Sequence, residues 1–196
     1  NELLVIADGQ NDQPGTGRRG RIATVTDEVV DRPTLDAGQA LRPFLVVATI
    51  VAAMWVVELI DLLPGTNFDR WGIRPRQLDG LPGIVFAPFL HAGFGHLIGN
   101  TIPFLVLGCI IAASGIQRFV QVTLIVGLIT GVGTWLISPG HTVHIGASGL
   151  VFGYLTYLVT RGVFQRHIGQ IIVGLVVLFF YGGILWGLFP RPGISW

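Results

Sequence analysis

Two short polar motifs lie within otherwise apolar parts of the sequence. One is Gly-Ala-Ser-Gly at 146–149, in which the Ser148 hydroxyl is a potential nucleophile. The other contains His96 and Asn100, which lie four residues apart and would project from one face of a helix. Both of these side chains can donate a hydrogen bond while uncharged. A hydroxyl with two neutral donors is the combination expected of a nucleophile beside an oxyanion hole.

Ser148 also has a purely structural interpretation. A serine at the start of a helix usually caps the free backbone N–H groups of the first turn. Here Gly146 and Gly149 lie on either side of Ser148, which would leave the hydroxyl accessible to another backbone. The amides at a helix N-terminus also point toward any developing negative charge. From these residues alone, cap and nucleophile remain alternatives.

The composition indicates a protein whose solvent is lipid. Of the 196 residues, 51% are hydrophobic and 12% are charged, and the mean hydropathy is +0.68. A soluble domain of this size needs more charge to cover its surface. The formal net charge of +1 gives no reason to expect a nucleic-acid partner. Cys109 is the single cysteine, which excludes an intramolecular disulfide.

Five long apolar segments predict an all-α, polytopic membrane bundle. They comprise residues 41–63, 96–113, 119–137, 147–159 and 168–188. About 20 helical residues cross the roughly 30 Å hydrocarbon core, so we expect the shorter fourth segment to begin within the membrane. The segments lack the alternation of a transmembrane barrel, which favours helices that satisfy their own backbone hydrogen bonds.

The arginines predict the orientation of this bundle. Eight fall on the side of the N-terminus and four on the other, which supports a cytoplasmic N-terminus. We expect residues 1–40 to form a largely flexible cytoplasmic segment and residues 41–196 to form the transmembrane domain. Ser148, His96 and Asn100 then open toward the outer side.

The connection between the first two segments, at 64–90, is too long for an ordinary turn. It mixes charged residues with Trp71, Phe86 and Phe89, so we expect a structured piece at the membrane interface. Glu58 and Asp61 end the first helix, where we expect both carboxylates to reach water.

The glycines at 146, 149 and 153 have a three-then-four spacing, which predicts a bare stripe on one helix face. Such a stripe lets a second helix approach closely in lipid. The five apolar segments offer no obvious helix to receive it.

The ordered motifs resemble the rhomboid family of intramembrane serine proteases. The resemblance rests on His91-x4-His96-x3-Asn100 opening the second helix and on Gly-x-Ser-Gly at 146–149 opening the fourth. The stretches 72–76 (Gly-Ile-Arg-Pro-Arg) and 89–97 are also typical of bacterial members. It covers roughly residues 41–196 and implies a bacterial plasma-membrane enzyme that cleaves transmembrane protein substrates, with no cofactor or metal.

The resemblance also implies roles for individual residues. Ser148 would be the nucleophile, and His96, Asn100 and the backbone N–H of Ser148 would stabilise the oxyanion. Four further residues would have supporting roles: Gly146 in the turn before the nucleophile, Gly149 after it, His91 below the loop over the site, and Phe152 against the catalytic histidine.

One part of the family pattern is missing from the sequence. Rhomboids take their general base, a histidine, from a sixth helix, whereas the last histidine here is His167 and the sequence stops at Trp196. A serine hydroxyl is a poor nucleophile without a base. We therefore expect the natural chain to continue into a sixth helix that bears the histidine. His141 and His144, in the loop before Ser148, would lack a rigid support for this role.

Two other functions remain open. A catalytically inactive relative would keep the scaffold and bind transmembrane helices as a partner. A metal-binding membrane protein would use His91, His96, His141 and His144, since imidazole suits zinc or copper. The sequence leaves open the substrate and the oligomeric state.

Overall fold

The computed structural model describes residues 37–185 of the chain, with the backbone alone for 37, 40 and 180–185. Its α-helices are α1 (Ala37–Asp61), α2 (Gly83–Phe86), α3 (Phe94–Ala112), α4 (Ile116–Ile137), α5 (Ser148–Phe164) and α6 (Ile168–Leu185). Each of the five predicted apolar segments is helical, and α5 extends five residues further than predicted. Nearly all of the predicted flexible segment 1–40 lies outside the described residues, although α1 already begins at Ala37.

Three of these helices are long and apolar enough to cross a membrane. They are Leu41–Asp61, Phe94–Ala112 and Ile116–Ile137, with hydropathies of 2.3, 1.8 and 1.9. The 17 residues of α5 are at the lower limit for a full crossing. The predicted all-α membrane bundle is confirmed.

Helix α5 is the centre of the bundle and packs against α3, α4 and α6. Its Tyr154 is fully buried between Phe104 and Phe119, at ring-centroid distances of 5.4 and 6.0 Å. The Tyr154 hydroxyl shares a 2.6 Å hydrogen bond with Thr123 of α4. Lipid gives no hydrophobic drive between helices, so packing and buried hydrogen bonds of this kind hold the bundle together.

The glycine stripe of α5 is received by α4, a partner that the sequence did not identify. A Cβ on Gly149 would lie 3.1–3.2 Å from the side chain of Thr130, and a Cβ on Gly153 would overlap Val126. The expectation that the stripe has no partner among the five helices was therefore wrong. Both glycines let the α4 side chains of Thr130 and Val126 pack directly on the backbone of α5.

The connection between α1 and α3 is structured, as predicted. It contains α2 and the 3-10 turns Asp69–Trp71, Leu78–Gly80 and Ala87–Phe89. Within it, Gly83 packs directly onto the backbone of Gly72, where any Cβ would overlap backbone atoms. Its predicted place at the membrane interface stays a prediction.

Two attachments fasten this connection to the segment that precedes α5. Ile73 and His144 exchange backbone hydrogen bonds of 2.9 Å in an isolated antiparallel bridge. Arg76 donates from its guanidinium to the carbonyls of Leu136 and Ser138, at 3.1 and 2.7 Å. These carbonyls are free because they lie at the C-terminus of α4, so Arg76 caps that helix.

We predict that Gly83→Ala destabilises the protein by about 1–3 kcal/mol, because the obstructing atoms are backbone and cannot rotate away. Thermal unfolding in detergent measures the effect. The matched control is Gly99→Ala in α3, where a Cβ meets nothing within 4 Å. Equal midpoints for the two variants would contradict the close contact.

Candidate active site

Ser148 is the first residue of α5, and Ala147 occupies the N-cap position. The helix has no side-chain cap, so the capping interpretation of Ser148 finds no support. Within the described residues the hydroxyl has no hydrogen-bond partner, and it lines a cavity. Its backbone N–H belongs to the first turn, where amides have no partner inside the helix.

Gly146 brings the two polar motifs together. Its φ of +108° is one that side-chain-bearing residues rarely adopt. A Cβ here would lie 2.6–2.7 Å from Cε1 and Nε2 of His96 and 3.5 Å from Nδ2 of Asn100. Its N–H donates to the Ala87 carbonyl at 2.8 Å. Only a glycine lets the imidazole approach the backbone two residues before Ser148.

His96 and Asn100 lie on one face of α3, in its first two turns. The Asn100 amide donates to the His96 carbonyl at 3.0 Å and is 4% exposed. The backbone N–H of Ala92 donates weakly to Nδ1 of His96, at 3.5 Å. If Nδ1 accepts, the neutral ring carries its proton on Nε2, the nitrogen beside Gly146.

A cavity of about 460 Å³ opens beside Ser148. Phe152, one turn further along α5, forms part of its wall together with Gly149. The opposite wall comes from α4 and from the connection between α1 and α3. Its α4 lining consists of small or polar residues and one isoleucine: Gly127, Thr130, Gly131, Thr134 and Ile137. An apolar pocket with a few convergent polar groups is the usual form of a binding site.

His91 lies just before α3 and is 2% exposed. Its ring meets that of His96 edge to face, with centroids 5.2 Å apart. Neither ring nitrogen has a hydrogen-bond partner in residues 37–185. Burial, and then the neighbouring His96, lower the pKa of His91 to about 4, while the Phe89 backbone acts in the opposite sense. His91 is therefore neutral at physiological pH and packs beneath His96.

The two loop histidines are arranged differently. His144 lines the cavity, but its Nε2 is hydrogen-bonded to Thr142 at 2.8 Å. Burial lowers the pKa of His144. His141 is exposed and has a φ of +73°. Within the described residues no three His, Cys, Asp or Glu side chains come together as a metal site, so the four-histidine arrangement does not form.

Glu58 differs from its expected environment. We expected its carboxylate to reach water, but the residue is 4% exposed, and the Gly93 backbone amide faces the carboxylate. Asp61 accepts a 2.6 Å hydrogen bond from the Phe68 N–H. The sequence did contain a signal for this burial. A glutamate within an apolar helix is costly in a membrane, and such residues usually have a specific partner or function.

We predict that Gly146→Ala lowers the unfolding temperature, because strained backbone costs on the order of 1–3 kcal/mol and the methyl group would displace His96. Differential scanning fluorimetry in detergent provides the measurement. Gly95→Ala, in the first turn of α3, is the control, since its Cβ would meet nothing within 4 Å. A wild-type midpoint for Gly146→Ala would contradict the geometry.

We predict that stability falls as the pH drops from 6.5 toward 4. The pKa of His91 is lowered from 6.5 to about 4, so the unfolded chain takes up a proton in this range while the folded chain does not. The contribution of neutral His91 to the free energy of unfolding is complete above pH 6.5. Its full loss at low pH amounts to roughly 3 kcal/mol. Between pH 6.5 and 4, the unfolding midpoint should fall less in His91→Phe than in the wild type. An equal fall in both proteins would contradict the assignment of this pH dependence to His91.

Comparison with known proteins agrees with the motifs. A model of the Rhomboid domain matches residues 79–196. An uncharacterized protein of Mycobacterium tuberculosis (strain ATCC 25618 / H37Rv) is 47% identical over 186 residues, which cover 90% of this chain and 75% of the relative. A relative in Mycobacterium leprae is 45% identical over 177 residues, or 84% of this chain and 70% of that protein.

A more distant relative in Bacillus subtilis bears the name "Putative rhomboid protease YdcA". It is 32% identical over 138 residues, covering 66% of this chain and 69% of that protein. No solved structure matches the chain significantly. The chain belongs to the rhomboid family of intramembrane serine proteases.

Proposed function

We propose that this chain provides the nucleophile and the oxyanion hole of an intramembrane serine protease that cleaves transmembrane protein substrates. The observation that carries the proposal is the approach of His96 and Asn100 to Gly146, two residues before Ser148. This approach supports the proposal because Ser148 follows two residues later, at the N-terminus of α5, and its hydroxyl has no partner in the described part of the chain.

The chemistry would proceed in two steps. The Ser148 oxygen attacks a peptide carbonyl carbon while its proton passes to a base, and the tetrahedral intermediate then expels the amine as the base returns the proton. Water hydrolyses the resulting ester by the same route. The oxyanion would accept hydrogen bonds from Nε2–H of His96 and from one N–H of the Asn100 side-chain amide. The other N–H of that amide already donates to the His96 carbonyl.

The general base would come from another segment of the natural protein. His144 lines the cavity, but Thr142 holds its Nε2, and no described element supports the ring against Ser148. The resemblance to rhomboids favours a histidine on a further helix. The mycobacterial relatives are longer than the region they share with this chain.

Substrate and location follow from the same setting. The apolar spans support a site within a lipid bilayer, and the arginine distribution favours an active site opening to the outer side of a bacterial plasma membrane. The cavity is mostly apolar and large enough for a few side chains. A transmembrane segment, unwound near its end, would present its peptide bond there. The proposed mechanism needs neither a cofactor nor a metal.

We predict that Ser148→Ala in the full-length protein abolishes cleavage of a model transmembrane substrate in proteoliposomes. His96→Ala and Asn100→Ala should each lower kcat by roughly ten- to a thousandfold, because one oxyanion donor is lost. Gel analysis of cleavage over time measures both effects.

Ser114→Ala is the control for Ser148→Ala, because Ser114 lies beyond the far end of α3, where it accepts a hydrogen bond from Arg161. It should retain wild-type cleavage. A fluorophosphonate probe should label the wild type and the control but not Ser148→Ala. If the wild-type protein is neither labelled nor active but still binds transmembrane helices, the protease proposal is wrong. The protein is then the catalytically inactive relative.

A further inference from the structure

Glu58 is a buried acidic residue in a helix that otherwise meets lipid and apolar side chains. It lies in the last turn of α1 and is 4% exposed, whereas its neighbours Leu59 and Ile60 are 52% and 40% exposed. Burying a carboxylate is costly unless hydrogen-bond donors compensate it. Packing alone would be served better by methionine or leucine, so the carboxylate needs a specific partner.

The partner is the start of α3. This helix has Gly93 at its N-cap, with a φ of +98° and no side-chain cap. Its first-turn N–H groups therefore lack the acceptor that Ser, Asp or Asn would supply from the N-cap position. The Glu58 carboxylate faces the Gly93 backbone amide, at the positive end of the helix dipole.

Two further contacts align α1 with the same turns of α3. Trp55 lies one turn before Glu58, and its indole N–H donates to the Thr101 hydroxyl at 3.1 Å. The Trp55 ring also lies 5.9 Å from that of Phe94, the first residue of α3. Glu58 thus extends a line of contacts along α1 up to the N-terminus of α3.

We propose that Glu58 is a positioning residue that holds Gly93, the N-cap residue of α3, from a neighbouring helix and so fixes the imidazole of His96. The link is short, because the Gly93 carbonyl accepts the N–H groups of His96 and Leu97, each at 3.1 Å. A shift of Gly93 would therefore move His96 away from Gly146. The catalytic consequence rests on the proposed function, whereas the contact between Glu58 and Gly93 does not.

Asp61 provides a matched comparison. It lies nearly one turn beyond Glu58, but its carboxylate accepts from Phe68 and so holds the connection rather than α3. Asp61→Asn keeps an acceptor oxygen at position 61, and Glu58→Gln keeps one at position 58. Glu58→Met keeps the length of the side chain and removes the acceptor.

The experiment combines kinetics with hydrogen exchange on the full-length protein in detergent or proteoliposomes. Glu58→Met should lower kcat roughly tenfold or more with little change in KM, because a transition-state interaction is weakened. Glu58→Gln should restore most of the rate, and Asp61→Asn should resemble the wild type. In a His96→Ala background, Glu58→Met should lower kcat by less than about twofold, because both changes act through the same hydrogen-bond donor.

Hydrogen exchange separates this proposal from the proposed function. The amides of Gly93, His96 and Leu97 should exchange faster in Glu58→Met than in the wild type and Asp61→Asn, whether or not the protein cleaves peptides. Unchanged exchange at these three amides would overturn the contact between Glu58 and Gly93. An equal loss of kcat in both backgrounds, or equal losses for the Met and Gln variants, would overturn the positioning of His96. Full activity of Ser148→Ala would instead refute the proposed function, because Ser148 would then not be the nucleophile.

Discussion

The site depends on one close approach, that of the His96 imidazole to the backbone of Gly146. A Cβ at this position would stand 2.6 Å from the ring, and the φ of +108° already favours glycine. This single contact joins α3, which carries the neutral donors, to the segment that opens α5 with Ser148. Any increase in the separation of the two helices would move the proposed nucleophile away from the proposed donors.

The rest of the structure fixes both sides of this contact. On the Ser148 side, the connection between α1 and α3 forms the bridge of Ile73 with His144, and its Ala87 carbonyl accepts the Gly146 N–H. On the His96 side, the buried His91 packs against the ring. The long connection therefore acts as a brace that ties the start of α5 to the start of α3, which explains why it is structured.

The bundle that carries the candidate site is packed in a different way. Tyr154 fills the space among α3, α4 and α5 and hydrogen-bonds to Thr123, while Gly149 and Gly153 leave room for the α4 side chains of Thr130 and Val126. In lipid such packing replaces the hydrophobic effect as the source of helix association.

The sequence by itself determined the helical membrane bundle, because long apolar runs and their length relative to the bilayer are local properties. It also identified Ser148, His96 and Asn100 as candidates, since polar residues at helical spacing in apolar segments are visible without any fold. Only the tertiary structure decided which helix receives the glycine stripe, that Arg76 caps α4, and that Glu58 is buried against Gly93 rather than solvated. The physical reason is that each of these contacts joins residues far apart in the chain. Burial and partner choice depend on which helix faces lie opposite one another, and no local pattern records that.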